Sequence, residues 1–210
     1  DTDIATDEEY IYRIYACSDV GNSYYSNEAS TLQPQQSLSP LDRWHKSEAF
    51  EDNVDIRAIA YGDGKFAVHG GIGDFPSYSG SLYATSTDLI DWTKKDVSSY
   101  TSLNSLTYAN RKFVGIADDK IMTSNNGLNW VGHNQSLCDS LNAVCHGNGV
   151  FIALGSSGGH TLSAGDEWVG KILRSTDGIH WTNINISEKD PLVDICFGDG
   201  KFVAVGYNGR

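Results

Sequence analysis

Positive charge, proline and long apolar runs are what this chain has least of. Its 210 residues hold 15 Lys and Arg against 27 Asp and Glu, a formal charge of −12. Such a surface forgoes the counterion release that drives binding to nucleic acid, and it repels anionic membranes, so neither is an expected partner. No stretch of 18 apolar residues occurs, so neither a transmembrane helix nor membrane insertion is expected. No secretory leader can be read, but the first residues read as the middle of a domain, so that absence carries no weight. The four cysteines, at positions 17, 138, 145 and 196, include no Cys-x-x-Cys pair, which excludes the common zinc spacings. Only 4 prolines stand against 22 glycines, 11 Tyr and 5 Trp, a composition that suits an all-β protein with many tight turns.

What is present is a repeat. Tyr61-Gly-Asp-Gly-Lys-Phe-Ala-Val-His-Gly70 returns as Tyr108-Ala-Asn-Arg-Lys-Phe-Val-Gly-Ile-Ala117, as His146-Gly-Asn-Gly-Val-Phe-Ile-Ala-Leu-Gly155 and as Phe197-Gly-Asp-Gly-Lys-Phe-Val-Ala-Val-Gly206. A second motif keeps phase with it: Ser86-Thr-Asp-Leu-Ile-Asp-Trp92, Ser124-Asn-Asn-Gly-Leu-Asn-Trp130 and Ser175-Thr-Asp-Gly-Ile-His-Trp181. From each motif Trp to the next Phe (113, 151, 202) is 21 residues, whereas the return intervals from Phe to Trp are 26, 17 and 30. A fixed half alternating with a variable half describes a unit with one variable loop. Units of this size built from short strands point to propeller blades, each a four-stranded meander. In the first blade, strand A is read at 56–62 and strand B at 65–70. The Asp63-Gly64 turn between them is suited to the positive φ of a type I′ hairpin, and Asn110-Arg111 is the poorest of the four such turns. Strand C ends in the Ser motif, and its Trp opens strand D.

In each Ser motif the Ser and the Asp or Asn (Ser86 and Asp88, Ser124 and Asn126, Ser175 and Asp177) can bond the backbone of a tight turn. Gly127 and Gly178 supply a left-handed conformation, and Trp92, Trp130 and Trp181 supply large apolar plugs between sheets. Leu89 stands where the other two have glycine, so the first turn is expected to be strained or differently turned. These residues resemble the Asp-box, or bacterial-neuraminidase, repeat of β-propellers, over about 44–210. The usual family form has one more residue between Asp and Gly. The adjacent Asp177-Gly178 matches a variant seen in bacterial extracellular propellers of unassigned function. In this family the box is a structural device and not a catalytic centre. The resemblance implies an all-β, sialidase-like propeller of about three and a half four-stranded blades.

Residues 1–31 do not fit the repeat. Tyr10-Ile-Tyr-Arg-Ile-Tyr-Ala-Cys17 alternates as a strand, Asp19-Val-Gly-Asn22 is a turn, and Ser23-Tyr-Tyr-Ser-Asn-Glu-Ala-Ser30 returns. This is similar to the last hairpin of a fibronectin type III domain. A lone hairpin is marginal in water, so the chain reads as a fragment of a larger extracellular protein. Residues 32–43 form a linker with two prolines. The propeller then spans 44–210, with Trp44 opening a strand D that has no strands A–C ahead of it.

A propeller's functional end carries the B–C and D–A connections, opposite the Ser motifs. Here those connections offer Asp74, Phe75, Tyr78, Tyr100, His160, Asp166, Glu167 and Trp168 as ligand-binding candidates, with His133 and Asn134 beside them. Aromatic rings beside carboxylates suit a glycan, the rings stacking on sugar faces and the acids accepting hydroxyl protons. A protein partner is the alternative ligand. The histidines at 69, 146, 160 and 180 have no metal-ligand spacing, and Asp118-Asp119 lacks a calcium loop's spaced ligands. His146 reads as a core residue and His180 as solvent-facing. No catalytic set, metal site or cofactor motif can be read. A sialidase needs three converging arginines, and of the repeat-region arginines only Arg57 lies on an inner strand. The expected function is therefore a non-catalytic extracellular or cell-surface binding module. A glycan-active hydrolase with its catalytic groups mostly outside this stretch, and a structural spacer, are the alternatives. Cys145 and Cys196 share a repeat position with Ala60 and Thr107 and are expected as buried thiols. Cys138 lies near enough in sequence to approach Cys145.

Overall fold

The computed structural model describes residues 49–73, 77–101, 103–117, 119–158, 169–184 and 190–206, with the backbone of 11–12, 17–18, 21–22 and 29–30. The chain divides into two compact units, Asp1–Lys46 and Ser47–Arg210. In the first, β1 (Ile11–Tyr12) pairs antiparallel with β4 (Ala29–Ser30), and β2 (Cys17–Ser18) pairs with β3 (Gly21–Asn22). The rest of the hairpin expected over 10–30, and Trp44, lie outside the described residues.

The second unit is all-β, a β-propeller with three four-stranded meanders and a two-stranded sheet among the described residues. The first blade is β5 (Val54–Gly62), β6 (Lys65–Ile72), β7 (Gly80–Ser86) and β8 (Thr93–Val97). The second is β9 (Ser105–Ala109), β10 (Lys112–Ile116), β11 (Lys120–Ser124) and β12 (Val131–Asn134). The third is β13 (Ser140–Gly147), β14 (Val150–Ser157), β15 (Val169–Ser175) and β16 (Thr182–Ile184), and the last pair is β17 (Leu192–Gly198) with β18 (Lys201–Gly206). First strands of successive blades pack on one another, β5 on β9, β9 on β13 and β13 on β17.

Each A–B hairpin closes through two residues of positive φ: Asp63 and Gly64, Asn110 and Arg111, Asn148 and Gly149, Asp199 and Gly200. Two successive left-handed residues are what a type I′ turn demands. Arg111, at φ 61°, takes a conformation that a Cβ disfavours.

The Ser motifs make one hydrogen-bonded clasp three times. Ser124 Oγ accepts from the Gly127 amide (2.9 Å), while Asn126 Oδ1 accepts from the amides of Leu128 (3.0 Å) and Asn129 (2.9 Å). Ser175 and Asp177 do the same for Gly178, Ile179 and His180, all at 2.8 Å. Ser86 and Asp88 do it for Leu89 (2.8 Å), Ile90 and Asp91 (both 2.9 Å). The indoles of Trp92 and Trp130 donate back to the carbonyls of Leu89 (3.1 Å) and Gly127 (3.0 Å). The buried Trp181 indole nitrogen makes no such bond. The His180 ring nitrogen 2.7 Å away, and after it the backbone amides of Asp177's own turn, hold the Asp177 carboxyl far below the usual carboxylate range.

The clasp positions the glycine as well as the turn. Gly127 (φ 79°) and Gly178 (φ 75°) press against the preceding blade. A Cβ on Gly127 would fall 2.7 Å from Thr85 Cγ2, and one on Gly178 would fall 2.7 Å from Val114 Cγ2. Leu89 keeps the same turn at φ 66° but is exposed. The first turn is thus strained and not re-turned.

Between blades the seams are apolar. Ala58 and Tyr83 of the first blade meet Leu103 and Leu106, with Trp130 stacked on Tyr83 at 5.8 Å. Val114, Ile116 and Ile121 meet Leu141, Val144 and Phe151, with Trp181 against them. Ile152 and Leu154 meet Leu192 and Ile195. Each such buried side chain contributes about 2 kcal/mol. Trp92 packs on Phe50 at 5.1 Å. His146 is half-buried against Phe151 (4.6 Å), with its pKa lowered by burial, and His180 is exposed. Cys138, Cys145 and Cys196 are unpaired. Cys138 is buried and its thiol is pushed up to about 11 by that burial. The buried slot expected for Cys196 is corrected: it is exposed, because no described sheet covers the outer side of β17 and β18.

Replacing Leu89 with glycine should raise unfolding stability by up to about 1 kcal/mol, since relief of left-handed strain outweighs the added freedom of the unfolded chain. Gly178→Leu should cost about 3 kcal/mol or more, because it adds overpacking of the seam to that strain. Urea denaturation of both variants checks this, and equal effects at the two sites would contradict the seam role of Gly178.

Candidate functional site

A meander places its A–B and C–D turns at one end and its B–C and D–A connections at the other. At that second end of the first blade the structure assembles Asp55, Arg57, Tyr78 and Tyr100. Arg57 owes its position to a register shift between Ile56 and Ala58, where β5 carries one extra residue against β6. Bulges re-aim side chains. The same shift leaves out Asn142 in β13 and Val193 in β17. Asn142 Nδ2 donates to the Leu192 carbonyl (2.8 Å), and Asn104, at the matching place before β9, donates to the Leu141 carbonyl (3.1 Å). There the position links one blade to the next. In the first blade it is given to Arg57, which turns onto Asp55 and Tyr78.

Tyr78 is seated from below and behind. Its ring lies over Gly71, where a Cβ would sit 2.6 Å from the ring. Ser79 returns the chain to the sheet through its amide, 2.8 Å from the Ile72 carbonyl, and Gly73 N donates to the Asn53 carbonyl at 2.8 Å. Tyr100 arrives from the D–A connection, which Ser81 pins by accepting from the Thr101 amide (2.9 Å). The two rings stack with centroids 4.6 Å apart and planes 23° from parallel.

The polar groups form a closed triangle. Tyr78 Oη donates to Asp55 Oδ2 at 2.5 Å. Arg57 Nε donates to the same oxygen at 3.1 Å, and its Nη2 donates to Tyr78 Oη at 2.8 Å. Arg57 also lies 5.0 Å from the Tyr78 ring centroid. The Tyr78 hydroxyl, and next Arg57, lower the Asp55 pKa, while the neighbouring carboxylate raises that of Tyr78. All four side chains are exposed or half-buried. The result is a solvent-facing, hydrogen-bonded aromatic pair edged by one cation and one anion.

Of the residues expected as ligand contacts, Tyr78 and Tyr100 are brought together. Asp74, Phe75, His160, Asp166, Glu167 and Trp168 lie outside the described residues. His133 and Asn134 are not in the D–A connection but within β12, where His133 Nε2 sits 2.8 Å from Thr123 Oγ1. Sequence reasoning passed over Asp55, although Asp55-Ile-Arg57 carries opposite charges at the mouth of an inner strand. Among the described residues no group of three His, Cys, Asp or Glu is placed to hold a metal.

No family model matches the chain, and no curated protein matches it. Among solved structures it is similar to the computationally designed Ika4 protein, at 12% identity and a TM-score of 0.50, over 80% of this chain and 95% of that one. It is similar also to the Bombyx mori GH32 beta-fructofuranosidase BmSUC1 (13% identity, TM-score 0.46, 72% of this chain, 40% of that one). A further likeness is to Trypanosoma rangeli sialidase in complex with sialic acid (14% identity, TM-score 0.39, 91% of this chain). The chain spans 40% of the former enzyme's length and 38% of the latter's. At such identities the likeness is one of fold.

Behind the aromatic pair, His69 of β6 is fully buried against Tyr83 (centroids 5.1 Å apart), and burial pushes its pKa down to about 4. Folded His69 stays neutral while the unfolded chain gains a proton below about pH 6.5. Its contribution is therefore fully favourable above pH 6.5 and is lost as pH falls toward 4, by about 3 kcal/mol in all. Ile116 and Leu154 occupy the same repeat position. His69→Leu should flatten the decline in urea stability between pH 7 and 4. An unchanged pH profile would show that other groups cause it.

Proposed function

We propose that the chain is a non-catalytic extracellular or cell-surface binding module that recognises a glycan at the loop end of its first blade. The stacked Tyr78–Tyr100 pair beside Arg57 and Asp55 carries this reading. Sugar rings offer apolar C–H faces to aromatic rings and hydroxyls to charged edges, and a pre-ordered aromatic pair loses little entropy on contact. Binding is favoured over hydrolysis because glycoside cleavage uses two carboxyl groups about 5–9.5 Å apart, one of them free to donate a proton. The Asp55 carboxyl is instead held ionised by Tyr78 and Arg57. On the same reading the Ser clasps belong to the Asp-box class of turn, and residues 1–31 are the end of a fibronectin type III spacer that tethers the propeller.

The test is a glycan array with the full chain, followed by affinity measurement on any retained sugar. Tyr78→Ala and Tyr100→Ala should each weaken binding tenfold or more, about 1.4 kcal/mol, with the denaturation midpoint nearly unchanged. Retention that is indifferent to both substitutions would refute the site. Turnover of a chromogenic glycoside that disappears in Asp55→Asn would refute the non-catalytic reading.

A further inference from the structure

The charges beside the aromatic pair are balanced within the protein. Arg57 gives Nε to Asp55 Oδ2 (3.1 Å) and Nη2 to Tyr78 Oη (2.8 Å). Its guanidinium carbon stands 5.0 Å from the Tyr78 ring centroid, inside the roughly 6 Å at which a ring face holds a cation. A ligand cation on the pair would therefore stand beside one already there.

The carboxylate is committed on one side. Both side-chain bonds to Asp55 end on Oδ2, from Tyr78 Oη at 2.5 Å and from Arg57 Nε. Asp55 Oδ1 accepts from no side chain among the described residues, and the Asp55 side chain is 50% exposed against 29% for Arg57. Oδ1 is thus an anionic acceptor open to a donor. A hydroxyl is a donor that brings no charge, and its bond to an ionised oxygen is stronger than one between neutral groups. A carboxylate or sulfate has no proton to give there and is repelled. The chain's charge of −12 adds to that repulsion at low ionic strength.

We propose that this site selects uncharged glycans, taking sugar hydroxyls on Asp55 Oδ1 and a C–H face on the tyrosines, and that it rejects acidic and amino sugars alike. The inference rests on the glycan reading above and adds the sign of charge to it. Selection comes from the ion pair acting as a unit, with Asp55 turning away anions and Arg57 turning away cations. Removing one partner leaves the other uncompensated, so each loss should admit sugars of charge opposite to the partner that remains.

A glycan array carrying neutral, uronate-bearing and unacetylated glucosamine-bearing oligosaccharides tests this with the full chain, at low and at 0.5 M salt. Only neutral members should be retained in a way that Tyr78→Ala and Tyr100→Ala weaken, and their affinity should differ by about twofold at most between the two salts. Asp55→Asn should weaken neutral members about tenfold, through loss of the charge-assisted bond, and should bring up the uronate-bearing members at low salt. Arg57→Gln should bring up the glucosamine-bearing members instead, and it stands in if the denaturation midpoint shows that Asp55→Asn disturbs the fold. Tyrosine-dependent retention of acidic or amino sugars by the unsubstituted chain would overturn the charge selection and leave the glycan site standing. So would substituted chains that keep the original preference for neutral members. If no sugar is retained through the tyrosines, the glycan site itself is refuted, and this inference with it.

Discussion

The chain reversal between the third and fourth strands of each blade is the constraint from which the rest follows. One serine oxygen and one carboxylate or amide oxygen take up the backbone amides of a turn that has no strand partner for them. Left unmet beside an apolar seam, each amide would cost about 1–3 kcal/mol. Ser124 and Asn126, or Ser175 and Asp177, meet that demand from within the turn. The left-handed glycine that results has no side chain, so the turn can press into the neighbouring sheet at Thr85 or Val114. The indole three residues on then packs into the same seam. Local turn chemistry and packing between blades are thus one device, and the first blade shows its limits. Leu89 keeps every hydrogen bond of the clasp, but only where no described blade lies against it.

Fixing one end of every blade leaves the other free to vary. The connections at the far end differ in length from blade to blade without disturbing the seams. The bulge near the start of the inner strand is the hinge of this division. Asn142 in the third blade's bulge, and Asn104 at the matching place before β9, hold the next blade, and the first blade uses the same place to aim Arg57 at Tyr78. A position that is structural in the interior becomes part of a charged and aromatic surface at the edge, which is a short route from scaffold to recognition site.

Much of this was legible in the amino-acid order because its causes are local. Asp63-Gly64 and Asn148-Gly149 announce hairpins through φ alone, and the Ser motifs announce turns through atoms two to five residues apart. Tyr78 and Tyr100 could be assigned to the correct end of the blade from topology, but their stacking depends on Gly71 and Ser81, whose roles appear only in three dimensions. Asp55 was missed because its meaning lies in a bulge, and a bulge depends on pairing rather than composition. Cys196 was misjudged because a repeat position carries a burial only where a neighbouring blade supplies it.

Amide hydrogen exchange followed residue by residue tests the clasp most directly. The amides of Gly127, Leu128 and Asn129, and of Gly178, Ile179 and His180, lie outside any strand, yet they should be protected far beyond loop rates. That protection should collapse locally in Ser124→Ala and Ser175→Ala while the adjacent strands β10 and β14 stay protected. Exchange at the rates of an unstructured peptide in the unsubstituted chain would contradict the account at its root.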